Sequence, residues 1–281
     1  MRIIRGIELL RKEIKKLKQR NMTIGLVPTM GALHEGHLSL MRKAQKENDC
    51  LIVSIFINPI QFGPKEDLRR YPRNLKKDAA LCKKEGAGII FYPDPKEMYP
   101  LDFKTHVLVP GLSDRLCGKS RPGHFEGVAT VVTKLFNLTC PDVAYFGQKD
   151  AQQAIIIRKM VSDLNIPVKI KVMPTIREKG GLALSSRNAF LNNNERNDSL
   201  VLSKALNLAG DLIKNGVSDA DRIITQMSGL IRKKKTARID YVAIVDLESL
   251  EPIKRVTGKC LIALAVRIGR TRLIDNIIIR N

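Results

Sequence analysis

The sequence contains no tryptophan, and only 5% of its residues are aromatic, so few rings are available on which nucleobases would stack along a surface. It also lacks any apolar run of about 20 residues, which leaves no candidate for a membrane-spanning helix. The N-terminal stretch MRIIRGIELLRKEIKKLKQR alternates apolar and basic residues at helical spacing instead of presenting the apolar block of a secretory signal. The expectation is a soluble, cytoplasmic protein with no membrane partner. Five cysteines (Cys50, Cys82, Cys117, Cys140 and Cys260) are odd in number, dispersed and never in a C-x-x-C pair, which argues against a disulfide framework and a structural zinc site. Cys50 and Cys260 fall in strand-like apolar runs and read as buried structural thiols. Acidic residues are scarce as well: 28 against 49 basic ones, for a formal charge of +21. Such an excess raises nucleic acid or an anionic membrane as a partner. The lysines are scattered, however, with Lys233, Lys234 and Lys235 as the only triple. A solvated basic surface is the simpler reading, and nucleic acid is set aside as a partner.

What the sequence does have is alternation. Apolar, β-branched runs at Thr23–Thr29, Cys50–Asn58, Gly88–Tyr92, His106–Val109, Asp142–Phe146 and Val168–Met173 read as buried parallel strands. Between them, Gly36–Glu47, Asn74–Glu85, Glu126–Leu138 and Asp150–Asn165 carry apolar residues at helical spacing, so strand and helix take turns. This predicts an α/β fold, a Rossmann-like doubly wound parallel sheet whose ligands bind at the carboxyl ends of its strands. After Arg177 the pattern changes to a polar, Gly-containing segment, EKGGLALSSRN. Helix-like stretches follow at Glu195–Asn215 and Asp219–Lys233, then strand-like ones at Asp240–Val245, Lys259–Ile268 and Thr271–Ile279. The expected division is a nucleotide- and substrate-binding domain over 1–177 and a smaller C-terminal α+β domain over 178–281 acting as a lid, with the segment from Gly180 to Arg187 where the two face each other.

Two of the four histidines lie within four residues of each other, in PTMGALHEGH (28–37), where the first predicted strand turns into a helix. Free backbone N–H groups at a helix N-terminus favour phosphate, so His34 and His37, bracketed by Gly31 and Gly36, converge on an anion site that holds proton donors, and the resemblance described below adds the backbone of Met30 and Gly31 to it. A zinc pair or ordinary turn residues are the alternative readings, although no third ligand cluster lies nearby. The turn Gly147-Gln148-Lys149-Asp150 follows another predicted strand and therefore shares the same sheet edge. Lys149 is placed there to meet phosphate, and Gly147 and Asp150 to hold the sugar side of a nucleotide, a surface lysine and a helix N-cap being the alternative readings of Lys149 and Asp150.

The H-x-G-H element resembles that of the nucleotidyltransferase superfamily that includes class I aminoacyl-tRNA synthetases. PTMGALHEGHLSL, FINPIQFGPKEDLRRYPR, GHFEGVATVV, FGQKDAQQ and LSSRN, in this order, resemble the pantoate–β-alanine ligase family. The resemblance implies ATP-dependent condensation of pantoate with β-alanine to pantothenate through a pantoyl adenylate, releasing pyrophosphate and AMP. ATP is then a substrate, Mg²⁺ accompanies it with no ligand identifiable in the sequence, and a homodimer is implied. By the same resemblance His37 is the catalytic proton donor, with His34 beside it. Ser185, Ser186 and Arg187 form a mobile second phosphate-binding element, and Arg121 is a further anion contact near the nucleotide. Ile176 offers a backbone contact to adenine. Gln61 and Gln153 hold pantoate, since an amide can donate to a carboxylate and accept from a hydroxyl. Asn58 builds the surrounding pocket, and Met30 and Val132 pack on the gem-dimethyl carbon. Two departures occur in the mobile loop: Gly180 stands where the family usually has an acidic residue, and Leu184 where it usually has methionine. The latter preserves volume and packing. Two competing readings are a nucleotidyltransferase acting on a phosphorylated alcohol, and an RNA-binding or tRNA-charging protein. The first would call for cations where Gln61 and Gln153 offer amides, and the second for an RNA-binding motif that the sequence does not display.

Overall fold

The computed structural model describes residues 1–64 and 66–280, without the side chain of Asp67. Lys65, in the FINPIQFGPKEDLRRYPR string, and Asn281 lie outside the described residues. In chain order the first part contains β1 (Arg2–Ile4), α1 (Ile7–Gln19), β2 (Ile24–Thr29), α2 (Glu35–Glu47), β3 (Cys50–Ile55), α3 (Leu75–Lys84) and β4 (Ile89–Phe91). Two short helices, α4 (Pro95–Met98) and α5 (Cys117–Ser120), precede α6 (His124–Thr139), β5 (Val143–Gly147), α7 (Ala151–Asp163) and β6 (Lys169–Met173). All six strands pair in parallel in the order β1-β4-β3-β2-β5-β6.

Side chains alternate across a strand, and here both faces are covered. Ile24, Leu26, Ile52, Ala144 and Phe146 point into a core completed by α1, α6 and α7. Val27, Leu51, Val53, Ile55 and Tyr145 point the other way, against Leu38, Met41 and Ala44 of α2 and Cys82 of α3. That is why β3 is apolar at nearly every position, with all six residues buried: a strand between two helical layers has no wet face. At roughly 1.5–3 kcal/mol for each fully buried aliphatic side chain, these central strands carry much of the hydrophobic stabilisation.

The remainder contains α8 (Asn193–Ser199), α9 (Val201–Lys214), α10 (Ala220–Arg232), β7 (Ala237–Asp246), β8 (Cys260–Ile268) and β9 (Thr271–Ile279), the three strands forming an antiparallel sheet. The helix foreseen over 195–215 is divided at Leu200, and its start is fixed by a capping box in which Asn192 and Glu195 accept from each other's backbone N–H. One face of this sheet packs on α9 and α10. The other, through Tyr241, Ala243, Leu261, Ala263, Ile274 and Ile278, joins the core of the parallel sheet.

Two expectations need correction. His106–Val109 is not a strand. The Val107 N–H donates to the hydroxyl of Thr130 on α6 at 2.9 Å, so the segment lies along a helix, which gives it no ladder to join. Conversely, Arg2–Ile4, read as part of a helical stretch, is an edge strand paired only with β4. All five cysteines are free thiols, with Cys50 and Cys260 buried, and burial raises the pKa of both. Among the described residues no helix is long and apolar enough to cross a membrane.

Candidate active site

The strand order reverses between β2 and β5. Pairing of β2 with β3 runs as far as Thr29 opposite Ile55, whereas its pairing with β5 covers only Gly25 and Leu26. Pro28, which has no N–H to offer a ladder, lies in the stretch beyond. The two strands part toward their carboxyl ends and open a cleft, where open α/β sheets characteristically bind ligands. Every candidate site residue named above except Gly31 lines it. The Gly31 N–H donates to Thr29 Oγ1 at 3.1 Å and is thereby used inside the loop.

Behind that loop stands Asp78 of α3, 2% exposed. Its two carboxylate oxygens accept from the N–H groups of Ala32 and Leu33 at 3.0 and 2.9 Å, which fixes the approach to α2. His34 is the N-cap residue of α2 and His37 lies in its first turn. Their rings are 4.1 Å apart between centroids, tilted by 36°. The His34 ring lies over Gly36, where an added Cβ would come within 2.9 Å of it, so the central glycine of H-x-G-H is there to admit the imidazole. Burial, the neighbouring His34 and the positive charge of Lys149 push the pKa of His37 down to about 3. Burial and Lys149 push His34 down to about 4, with Asp150 opposing. Both rings are neutral near pH 7, and Nδ1 of His34 is buried without a partner.

At the other end, Gln61 sits in a 3-10 turn (Pro59–Gln61) buried against α6. The turn comes so close to the helix that a Cβ on Gly127 would be 2.6 Å from Gln61 Cα. Asn58 donates to Gln61 Oε1 at 3.0 Å and to the Gly127 carbonyl at 2.9 Å, while its own oxygen accepts from the Tyr99 hydroxyl at 2.8 Å. With both amide hydrogens engaged, Asn58 orients Gln61 and has no donor left for a ligand. Gln61 Nε2 approaches Met30 Sδ at 3.2 Å. Phe56, Val128, Val131 and Val132 supply the apolar wall, and Gln153 of α7 borders the same cleft.

Arg121 lines the cleft, but its guanidinium is engaged by Glu66 through two bonds of 2.6 Å and by His124 Nε2 at 2.8 Å. As His124 Nε2 accepts from Arg121, its Nδ1–H donates to the Gln61 carbonyl at 2.9 Å. Burial and Arg121 lower the His124 pKa to about 4. Arg121 thus buttresses the Gln61 turn while lining the same cleft as Lys149 and Arg187.

Lys149 lies 3.7 Å from the Asp150 carboxylate, at the end of β5. Opposite it, Ile176 accepts from the Leu184 N–H at 3.0 Å, and Arg177 bridges Ala183, so residues 176–184 make a small hairpin. The hairpin delivers Ser185–Arg187 to the cleft, with Ser186 Oγ 3.3 Å from the Tyr71 hydroxyl. Behind it, Glu178 accepts from Asn188 at 3.0 Å and from Arg196 at 2.5 Å.

Asp78, Tyr99, Glu66, Glu178 and Arg196 escaped the reading of the sequence, as did Asp275 and Asn276 of β9. Some left a signal. Asp78 shares the buried stripe of α3 with Cys82, and a carboxylate on an apolar helix face calls for a partner.

The cleft therefore offers neutral imidazole donors and a lysine at one end, and amides with an apolar wall at the other. The sequence profile of the pantoate-beta-alanine ligase family matches residues 2–278. The chain is 56% identical over 279 residues to the pantothenate synthetase of Caldicellulosiruptor saccharolyticus and 52% identical over 279 residues to that of Moorella thermoacetica, covering 99% of each partner in both cases. Among solved structures, the pantothenate synthetase of Thermus thermophilus is similar with a TM-score of 0.94 at 42% identity, covering 99% of both chains. The pantoate-beta-alanine ligase of Francisella tularensis, complexed with beta-gamma ATP and beta-alanine, gives a TM-score of 0.80 at 34% identity, covering 99% of this chain and 97% of that one.

Proposed function

Because the chain belongs to the pantoate–β-alanine ligase family, and so joins these two substrates into pantothenate, we propose that it does this in two steps through pantoyl adenylate. The observation that carries this reading is one continuous cleft lined by neutral His34 and His37, by Lys149, and by the amides of Gln61 and Gln153. In the first step a pantoate carboxylate oxygen attacks the α-phosphorus of ATP, and the bond to the bridging oxygen breaks to release pyrophosphate. Carboxylic acids of pKa about 4 are already ionised near neutral pH, so the step needs alignment and charge neutralisation, with no general base. His37 donates an N–H to the phosphoryl oxygens as charge moves onto the leaving group. Lys149 and Arg187 supply positive charge, and Ser185 and Ser186 add hydroxyls. In the second step the β-alanine amine attacks the acyl carbon, AMP leaves and the amine loses a proton.

Gln61 and Gln153 hold the carboxylate and hydroxyls of pantoate, and Met30 and Val132 pack on its methyl groups. Adenine lies toward Ile176 and Leu184, its ribose toward Gly147 and Asp150. Among the described residues no three His, Cys, Asp or Glu side chains gather as a metal site. Mg²⁺ accompanying ATP would be carried chiefly by the phosphates. When bound, the ion neutralises phosphate charge. A division at residue 177, a C-terminal part that closes over the cleft, and a homodimer belong to the same proposal.

The test is to incubate the protein with ATP, Mg²⁺ and D-pantoate, with and without β-alanine, and to follow pyrophosphate and AMP separately. Pantoate-dependent pyrophosphate, with AMP and pantothenate accumulating only after β-alanine is added, is the expected result. Folded, ATP-binding protein that releases no pyrophosphate in response to pantoate would sink the adenylate route.

A further inference from the structure

We propose that the dipeptide Asp275-Asn276 in β9 positions the two polyphosphate-binding segments relative to each other, without itself touching substrate. The proposal rests on the nucleotide end of the cleft as just described, with Lys149 on one segment and Ser185–Arg187 on the other.

The two residues interrupt an otherwise apolar run, LIDNIII, yet they are 2% and 4% exposed. Adjacent strand residues point to opposite faces of the sheet, and here each face meets a different segment. Asn276 faces the parallel-sheet side, where its Nδ2 donates to the main-chain carbonyls of Gln148 and Lys149, both at 2.9 Å. Asp275 faces the other way. Its carboxylate takes two bonds from the Arg177 guanidinium, at 2.6 and 2.9 Å. Arg177 in turn donates to the Gly181 carbonyl at 3.0 Å, inside the hairpin that delivers Ser185–Arg187. The Asn276 backbone N–H donates to Asp275 Oδ1 at 2.8 Å, so the Asp275 carboxylate is also anchored to the main chain of its neighbour.

One peptide unit thereby fastens the turn at Lys149 and the root of the serine-arginine loop. The spacing between a lysine and an arginine that share one polyphosphate must hold to a fraction of an ångström for both to engage it. Sheet stability alone does not account for these residues. A buried ion pair contributes little net stability compared with apolar residues of the same volume, and β9 is already held along its whole length by β8. Their chemistry is accounted for by what they hold: carbonyl groups and a guanidinium at the ends of two loops.

The experiment compares wild type with Asn276→Ala and Asp275→Asn. Binding of a non-hydrolysable ATP analogue is measured by calorimetry, alongside KM for pantoate and kcat for pantoate-dependent pyrophosphate release. The expected result is an analogue Kd raised tenfold or more in each variant and a fall in kcat, with the pantoate KM within twofold of wild type, because Gln61 is held by an independent network. A merely structural role would lower the melting temperature and leave the Kd of the folded fraction unmoved. An unchanged Kd, or parallel losses toward ATP and pantoate, overturns the proposal. If Asn276→Ala does not fold, Asn276→Asp, isosteric but lacking the donor, is read in the same way. The analogue Kd decides the role of the dipeptide even if wild type releases no pyrophosphate with pantoate, an outcome that would count against the reaction alone.

Discussion

The backbone N–H of His34 points at Nδ1 of His37, 3.4 Å away. This long contact uses Nδ1 as an acceptor, which leaves the proton of the neutral ring on Nε2. A helix N-terminus that would ordinarily offer its N–H to an anion thus sets the tautomer of the imidazole proposed to meet the phosphoryl oxygens. Because burial and Lys149 keep the ring uncharged, it acts as a hydrogen-bond donor while the fixed charge comes from Lys149.

Removing that donor tests the role most directly. His37→Ala is expected to lower kcat for pantoate-dependent pyrophosphate release by about 10²–10⁴-fold, with a much smaller change in ATP affinity. His37→Gln, which can place an amide N–H near the same point, recovers part of the loss. Rapid-quench measurement of the first turnover separates this from slow product release. Equal losses in the two variants would argue against hydrogen-bond donation.

The three depressed histidines make stability depend on pH. In the unfolded chain each takes a proton near pH 6.5, whereas folded His34, His37 and His124 do so only near 4, 3 and 4. Between these limits the unfolded state binds more protons, so stability rises with pH. This contribution is fully present above about pH 6.5 and is lost toward pH 4, at up to roughly 1.4 kcal/mol per pH unit for each proton. Urea unfolding of wild type and His124→Gln at several pH values between 7.5 and 4.5 checks it. The variant should show the shallower slope, and parallel slopes would contradict the assignment of His124.

Asn58→Ala strips Gln61 of its donor and leaves the Tyr99 hydroxyl and the Gly127 carbonyl without their partner. An unpaired buried polar group costs about 1–3 kcal/mol, and the pantoate KM is expected to rise on the order of tenfold while the ATP KM stays near wild type. Steady-state kinetics with each substrate varied in turn provide the check.

Overpacking the same corner should be harsher. Gly127→Ala puts a methyl group 2.6 Å from Gln61 Cα, and backbone on both sides cannot yield without displacing the turn. Destabilisation of about 1–3 kcal/mol or more, together with a raised pantoate KM, is expected from chemical denaturation and kinetics. Wild-type stability would mean that α6 and the turn are less tightly apposed.

Arg121→Ala separates two placements of one residue. Its bonds to Glu66 and His124 predict a larger rise in the KM of pantoate than in that of ATP, transmitted through His124 and the Gln61 carbonyl. The opposite ordering would restore a nucleotide contact.

Much of this architecture was legible because its causes are local. A strand buried on both faces must be apolar at nearly every position, and Cys50–Ile55, with Ser54 the one polar residue, declares that condition in six letters. The H-x-G-H turn is legible for a similar reason, since glycine and both imidazoles act on one another within four residues. What escaped depends on distant partners or on short length. β1 has three residues, two of them exposed, too few to show a period of two. His106–Val109 has the composition of a strand, but the hydroxyl of Thr130, far along the chain, takes its N–H. The ion pair of Arg121 left no local mark because the carboxylate that engages it, Glu66, lies 55 residues away. Asp275 was passed over inside a correctly placed strand, since nothing near it in sequence reveals Arg177.

The early end of pairing between β2 and β5 leaves the facing main-chain edges beyond Leu26 and Ala144 without each other as partners. Main-chain groups in that seam border the cleft and are encoded by no particular side chain. A survey of single amino-acid replacements would therefore pass over them in silence. Replacing an amide by an ester at Val27, at Thr29 or along Tyr145–Gly147 would expose what such a survey misses, because only that exchange removes a backbone donor while keeping every side chain in place.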